Sequence, residues 1–310
     1  MMRAPGMVAT AVRKPDGSII IQREPHVSLT ERVRLLKLPI LRGAVGLVEM
    51  LIIGVQTLNF SAEVALAATG SPAEGAGSRR REHTDAKKNR LGLAVTLGTA
   101  LVAGVALFFV TPLLAATALF HLDQDPFWFN LVAGTIRMVM FLAYLIAISR
   151  LNDVQRLFAY HGAEHKAVVA FERGEPLNVA SAMSQTRFHP RCGTSFVLVV
   201  LLAAIALFAI LDSALIGVFG AITLGTRLIT HLLLLPLVGG LSYEFIRLSS
   251  RHSATPIGAM IVAPGLWLQR ITTCEPDEEQ VTVALAALRA ALGEEESGKA
   301  SASVAGLPAR

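Results

Sequence analysis

Tyr160-His161-Gly162-Ala163-Glu164-His165-Lys166 and His189-Pro190-Arg191-Cys192-Gly193-Thr194-Ser195-Phe196 are the two ends of a polar island between two pairs of strongly apolar segments. Three of the chain's eight histidines and one of its two cysteines lie in it. The flanks decide the fold class, because about 20 apolar residues are what a helix needs to cross the ~30 Å hydrocarbon core. Residues 91–114 and 129–148 before the island, and 195–211 and 215–237 after it, meet that requirement. Each is read as a spanning helix.

Composition agrees. A hydrophobic fraction of 53%, charged residues at 16% and a mean hydropathy of +0.55 lie outside the usual range of soluble domains, so the lipid bilayer is the first partner. The net charge of +5 and pI near 9.6 do not point to nucleic acid, since the basic residues cluster beside apolar runs and no aromatic-basic platform accompanies them.

Charge asymmetry predicts topology. The loop after the first span, with His121, Asp123 and Asp125, lacks Lys and Arg, whereas the region after the second carries Arg150, Arg156, Lys166, Arg173, Arg187 and Arg191. A short turn holding Asp212 is expected between the third and fourth spans, with Arg247 and Arg251 beyond the fourth. Arg79-Arg80-Arg81 and Lys87-Lys88-Asn89-Arg90 close a linker at 70–90. The positive-inside tendency then puts both termini and the motif region, 150–193, in the cytoplasm. Cys192 and Cys274 fall there too, where thiols stay reduced, so no disulfide is expected. Residues 1–39 have no continuous apolar core, and no cleavable signal peptide is expected.

In residues 1–38, apolar stretches at 11–13 and 18–21 flank Pro15-Asp16-Gly17, a turn sequence that predicts a β-hairpin, and Ser28-Leu29-Thr30-Glu31 opens a capped helix. Residues 39–69 are apolar but carry Arg42, Glu49, Gln56, Asn59 and Glu63. The last four share one helical face. A full crossing would place Arg13, Lys14, Arg23, Arg32, Arg34 and Lys37 on the far side, so this segment is read as an interfacial or re-entrant helix. Arg137, Arg227 and His231 inside the spans should face the bundle interior or water, in a functional role or a structural pair. Residues 241–292 are read as cytoplasmic helices, the last with Val281, Ala284, Leu285 and Leu288 on one face, and 293–310 as a disordered tail.

If residues 155–170 are helical, His161, Glu164 and His165 project from one side. Two imidazoles one turn apart are a common chelate for Zn²⁺ or another divalent ion, and Glu164 could be a ligand or a general base toward bound water. H-x-x-E-H is the pattern of inverted zinc metalloproteases. His189 and Cys192 add ligand types that a tetrahedral site accepts, and Glu244 could supply a carboxylate from the next helix end. A plain polar helix face and a simple turn into the third span remain the ordinary alternatives. So does a Cys192 nucleophile activated by His189 or His165, without an oxyanion-hole signature.

Tyr160 to Lys166, the HPRCGTSF order of His189 to Phe196, Tyr243-Glu244 with Ile246-Arg247, and PGLWLQR at 264–270 together resemble the bacterial YqhQ-like family. Met2-Arg3-Ala4-Pro5, the segment 11–17 and Leu41-Arg42-Gly43 with Leu47-Val48-Glu49 carry it toward the N-terminus, although the Gly-rich stretch that precedes Met-Arg-x-Pro in similar proteins is not in this sequence. That family is of unknown function and is described as predicted metal-dependent membrane enzymes. The resemblance implies a multi-spanning protein of the bacterial inner membrane, with His161, Glu164, His165, His189 and Cys192 as its site.

The expectation is therefore a mainly α, polytopic membrane protein with about four transmembrane helices, an interfacial or re-entrant N-terminal helix, a small β-hairpin and a cytoplasmic motif loop. Its predicted role is hydrolysis of a membrane-associated substrate at a divalent metal site, zinc first. The alternative is a membrane scaffold or transport-related protein in which the island docks a protein partner.

Overall fold

The computed structural model describes residues 1–68, 95–96, 98–120, 125–251 and 255–294. The linker at 70–90, the start of the first span and nearly all of the tail lie outside them.

The N-terminal segment forms a three-stranded antiparallel sheet, β1 Met2–Ala4, β2 Met7–Arg13 and β3 Ile19–Pro25, in the order β1-β2-β3. The hairpin expected from Pro15-Asp16-Gly17 is present. Arg13 pairs with Ile19, Gly17 takes φ +83°, and Asp16 accepts hydrogen bonds from the Ser18 N–H and hydroxyl at 2.8 and 2.6 Å. A third strand was not expected; it forms because Gly6, at φ +78°, turns the first residues back onto β2.

Helices follow: α1 Leu29–Arg32, α2 Leu41–Ala68, α3 Gly98–Phe120, α4 Pro126–Ile148, α5 Asn152–Glu172, α6 Val179–Met183, α7 Gly193–Phe219, α8 Leu224–Arg251, α9 Pro256–Thr272 and α10 Glu278–Leu292. Five of these, α2, α3, α4, α7 and α8, are long and apolar enough to cross a membrane, and the chain is a multi-pass membrane protein on that ground. α2, read from the sequence as an interfacial or re-entrant helix, meets the same criterion of length and apolarity as the four expected spans. The motif region is not a continuous loop, because α5 occupies half of it.

Both later spans are longer than hydropathy suggested: the third runs on to Phe219, and the fourth starts only at Leu224. Asp212 sits inside α7, fully buried, and the turn falls at Gly220 with φ +79°. The helix continues through the acid because the bundle satisfies it. The Asn130 amide donates to Asp212 at 2.8 Å, the His231 Nε2 lies 3.0 Å away, and the Arg227 Nε lies 3.2 Å away. Phe208 stacks on His231 with centroids 4.0 Å apart, and the Arg227 guanidinium lies 3.7 Å from the Phe129 centroid. Arg137 is buried and donates to the Phe108 carbonyl at 2.7 Å, within a π-turn of α3. Arg137, Arg227 and His231 thus all face the interior, as polar groups in hydrocarbon must.

At the other end of α7, a cap builds over the bundle. The sheet, α5, α6 and α10 share one core, with Ala9, Ala163, Ala167, Ala170, Ala182, Val281 and Leu285 buried in it. Small side chains let these helices approach closely. Asp277 and Gln280 form a capping box at the start of α10, and Gly293 at φ +81° ends it. The predicted apolar face of this helix is the buried one.

Candidate metal centre

The site lies where α5, the start of α7 and the end of α9 meet. Gly162 permits this contact. A Cβ there would stand 2.2 Å from the Cys274 carbonyl oxygen, so the glycine that weakens the helix propensity of the motif is what lets α5 touch the segment after α9. The Cys274 N–H donates to the Phe158 carbonyl at 2.9 Å and fixes the two elements together.

His161 and His165 stand one turn apart, their ring centroids 4.4 Å from each other. The His161 Nδ1 donates to the Thr272 carbonyl at 2.9 Å, and the His165 Nδ1 to the Arg187 carbonyl at 2.5 Å. Each bond commits Nδ1 to a carbonyl and leaves Nε2 for a second partner, the arrangement that orients metal-binding histidines. The His161 Nε2 is 3.3 Å from the Cys192 Sγ. His161, His165 and Cys192 each offer a ligating atom, and all three atoms lie within 4.8 Å of one another.

Cys192 is buried and caps α7. Its sulfur lies 3.5 Å from the Thr194 N–H and 3.1 Å from the Thr194 hydroxyl, at the positive end of a long helix. Burial pushes the thiol up, but the hydrogen bonds and charges of His161 and His165 outweigh it and lower Cys192 to about 5. Burial pushes His161 down, and the bond to Cys192 raises it overall. The contact thus favours the thiolate at Cys192 and the proton at His161.

Not every predicted residue joins the trio. The His189 backbone is clamped by Gln269, whose amide accepts from the His189 N–H and donates to its carbonyl, both at 2.8 Å. Its ring lies 5.7 Å from that of His165, and its Nε2 is 3.3 Å from both oxygens of Glu172. Burial lowers His189. Glu164 turns toward β1, where its carboxylate meets the Met1 amine at 2.5 Å, while its charge still acts on His161. Glu244 is engaged elsewhere: Arg42 grips both of its oxygens, one at 2.6 Å from Nε, at the contact of α2 with α8.

Three supporting residues went unread in the sequence. Glu172 lies eleven residues after His161, three helical turns along the same face, and that spacing could have found it. Lys166, buried, donates to the Met183 and Gln185 carbonyls at 2.9 Å and pairs with Glu275 at 2.6 Å. It pins the segment whose Arg187 carbonyl holds His165. Gln269 carries no sequence signal beyond its place in PGLWLQR.

Fold and site together define a helical membrane protein with an α/β cap clamped over a His/Cys centre at one end of the bundle. The chain belongs to the family described as protein of unknown function (DUF1385), whose profile matches residues 38–294. It is 30% identical over 283 residues to the uncharacterized protein YqhQ of Bacillus subtilis (strain 168), covering 89% of this chain and 84% of that one. No solved structure matches it. The family resemblance read from the motifs is thereby established.

Proposed function

We propose that His161, His165 and Cys192 hold a divalent metal ion, zinc first, and that the protein is a metal-dependent hydrolase of a membrane-associated substrate. The observation that supports this most is the pair of Nδ1 bonds to backbone carbonyls, which leave both Nε2 atoms beside a lowered thiol. Two nitrogens and a thiolate suit zinc, and three protein ligands leave a place for water. When bound, the ion supplies Lewis acidity and draws the pKa of such a water toward neutrality. Glu164, partly exposed and close enough to act on the charge of His161, is the general base of this reading. The Glu172–His189 pair braces the ring of His165. The concentration of Arg150, Arg156, Arg173, Arg187 and Arg191 near this end favours the cytoplasmic side of a bacterial inner membrane, with both termini on that side.

The test is the metal content of detergent-purified protein. Wild type carries about one equivalent, His161→Ala/His165→Ala carries none, and Glu244→Gln matches wild type because Glu244 is bound by Arg42. Equal metal in all three ends the proposal. The 3.3 Å contact between Cys192 and His161 favours a second reading, a thiolate nucleophile. In that case Cys192→Ser abolishes turnover while chelation leaves it intact.

A further inference from the structure

From Glu49 to Ala67 one side of α2 is taken by the cap. At Glu49, the carboxylate accepts from the Ser28 hydroxyl at 2.8 Å and the Leu29 N–H at 2.6 Å. Midway, the Thr57 and Thr10 hydroxyls are 3.4 Å apart. Near its end, Phe60, Glu63 and Ala67 face Lys14 and Asp16 of the hairpin turn across a cleft of about 580 Å³. From Glu49 to Ala67 the helix rises about 27 Å at 1.5 Å per residue, close to the ~30 Å of a hydrocarbon core. Were α2 to cross the bilayer, Arg13, Lys14, Asp16, Arg23 and Glu24 of the sheet would sit in hydrocarbon beside it. Length and apolarity allow a crossing; the packing of the polar sheet forbids it.

The opposite side of α2 is apolar and bare. Val48, Leu51, Ile52 and Leu58 are between 53% and 68% exposed, whereas Leu47 leans on Gly239 of α8. Ahead of it, exposed Leu29, Val33, Leu35 and Leu38 alternate with Arg32, Arg34 and Lys37. The helix is also moored to the bundle at one depth. Gly43 lies against Tyr243 and Gly240, where a Cβ would stand 2.7 Å from the Tyr243 Cβ, and Gly240 lies against Ile40. Gly240 is sixteen residues from the start of α8, so this mooring is about 24 Å along that helix, near its membrane exit. Ile40 holds φ +73°, a conformation that a β-branched residue adopts only when packing imposes it, and it redirects the chain into α2 at this point.

We propose that α2 lies in the plane of the membrane at the cap-bearing surface, its bare side sunk into that leaflet, and that Arg32, Arg34 and Lys37 bind anionic lipid headgroups. An apolar face flanked by basic residues is what a bilayer interface takes up, and the attraction comes from the negative surface of the leaflet. The crossing helices are then α3, α4, α7 and α8. This inference stands apart from the metal reading.

Spin labels on single cysteines test it, in a Cys192→Ala/Cys274→Ser background whose size-exclusion profile matches wild type. Protein carrying Val48→Cys, Leu51→Cys, Leu58→Cys or Ala65→Cys is reconstituted into vesicles, and label depth is read from oxygen and nickel-chelate relaxation. The in-plane helix places all four at one shallow depth, roughly 5–10 Å below the headgroups, while a label at Gln56→Cys stays less deep. A depth that reaches the bilayer centre and declines again toward Ala65, or water exposure throughout, overturns the placement. A label at Leu35→Cys is expected deeper in vesicles containing phosphatidylglycerol than in phosphatidylcholine alone. The difference should vanish in Arg32→Gln/Arg34→Gln/Lys37→Gln; the same depth in both lipids overturns the headgroup assignment.

Discussion

Replacing Gly162 by alanine puts a methyl group 2.2 Å from the Cys274 carbonyl oxygen, more than an ångström inside ordinary contact. The obstacle is backbone, tied to α5 by the Cys274–Phe158 bond and followed two residues on by Pro276, so it cannot swing aside as a flexible side chain would. Moving α5 instead pulls Ala163 and Ala167 out of the cap core and stretches the His161–Thr272 bond. Overpacking of this kind costs about 1–3 kcal/mol, and a weakened hydrogen bond about 1 kcal/mol more. Alanine returns about 1 kcal/mol of helix propensity, leaving Gly162→Ala destabilised by about 2 kcal/mol. Because His161 moves with the helix, metal affinity should also fall, by about 10–100-fold as for other losses of ligand orientation. Denaturant unfolding in detergent and competition with a chelator measure the two effects. Gly54→Ala is the control, since nothing lies within 4 Å of its added Cβ. A Gly162→Ala protein with wild-type stability and wild-type metal affinity refutes the account of how α5 is seated.

Cys192 in metal-free protein should keep its ultraviolet thiolate absorbance down to about pH 5, against an ordinary thiol value of 9.0, and His161→Ala should move the transition upward. The sign follows from linkage: the folded thiol releases its proton more readily than the unfolded one, so this group's stabilisation is complete above pH 9 and falls away as pH drops toward 5. Asp212→Ala removes the buried carboxylate that Arg227 and His231 share, at a cost of about 3–5 kcal/mol, seen as a fall of melting temperature on the order of 10 °C; a loss under about 1 kcal/mol contradicts the pairing that carries α7 past its acid. Lys166→Met removes the tether of the Met183–Gln185 carbonyls and should weaken metal binding about tenfold through His165, with the ligands themselves intact. Unchanged affinity in chelator competition counts against that role.

The chain's apolar runs, its turn residues and its paired motifs determined a great deal without coordinates. Hydropathy depends on local composition, so the spanning segments, the Pro15-Asp16-Gly17 hairpin and the buried face of α10 were legible. The one-turn spacing of His161 and His165 on a helix was legible for the same reason, as local geometry. What depends on residues far apart in the chain was not. Asp212 reads as a loop acid until Arg227, His231 and Asn130 are seen around it, and Glu244 reads as a ligand until Arg42, some two hundred positions earlier, is found holding it. Only the tertiary structure carries Cys192 to His161 and leaves His189 facing Glu172. Sequence spacing predicts neighbours along one helix, whereas the partners of a buried charge or thiol are set by which helices pack together, and that is decided by the whole core at once.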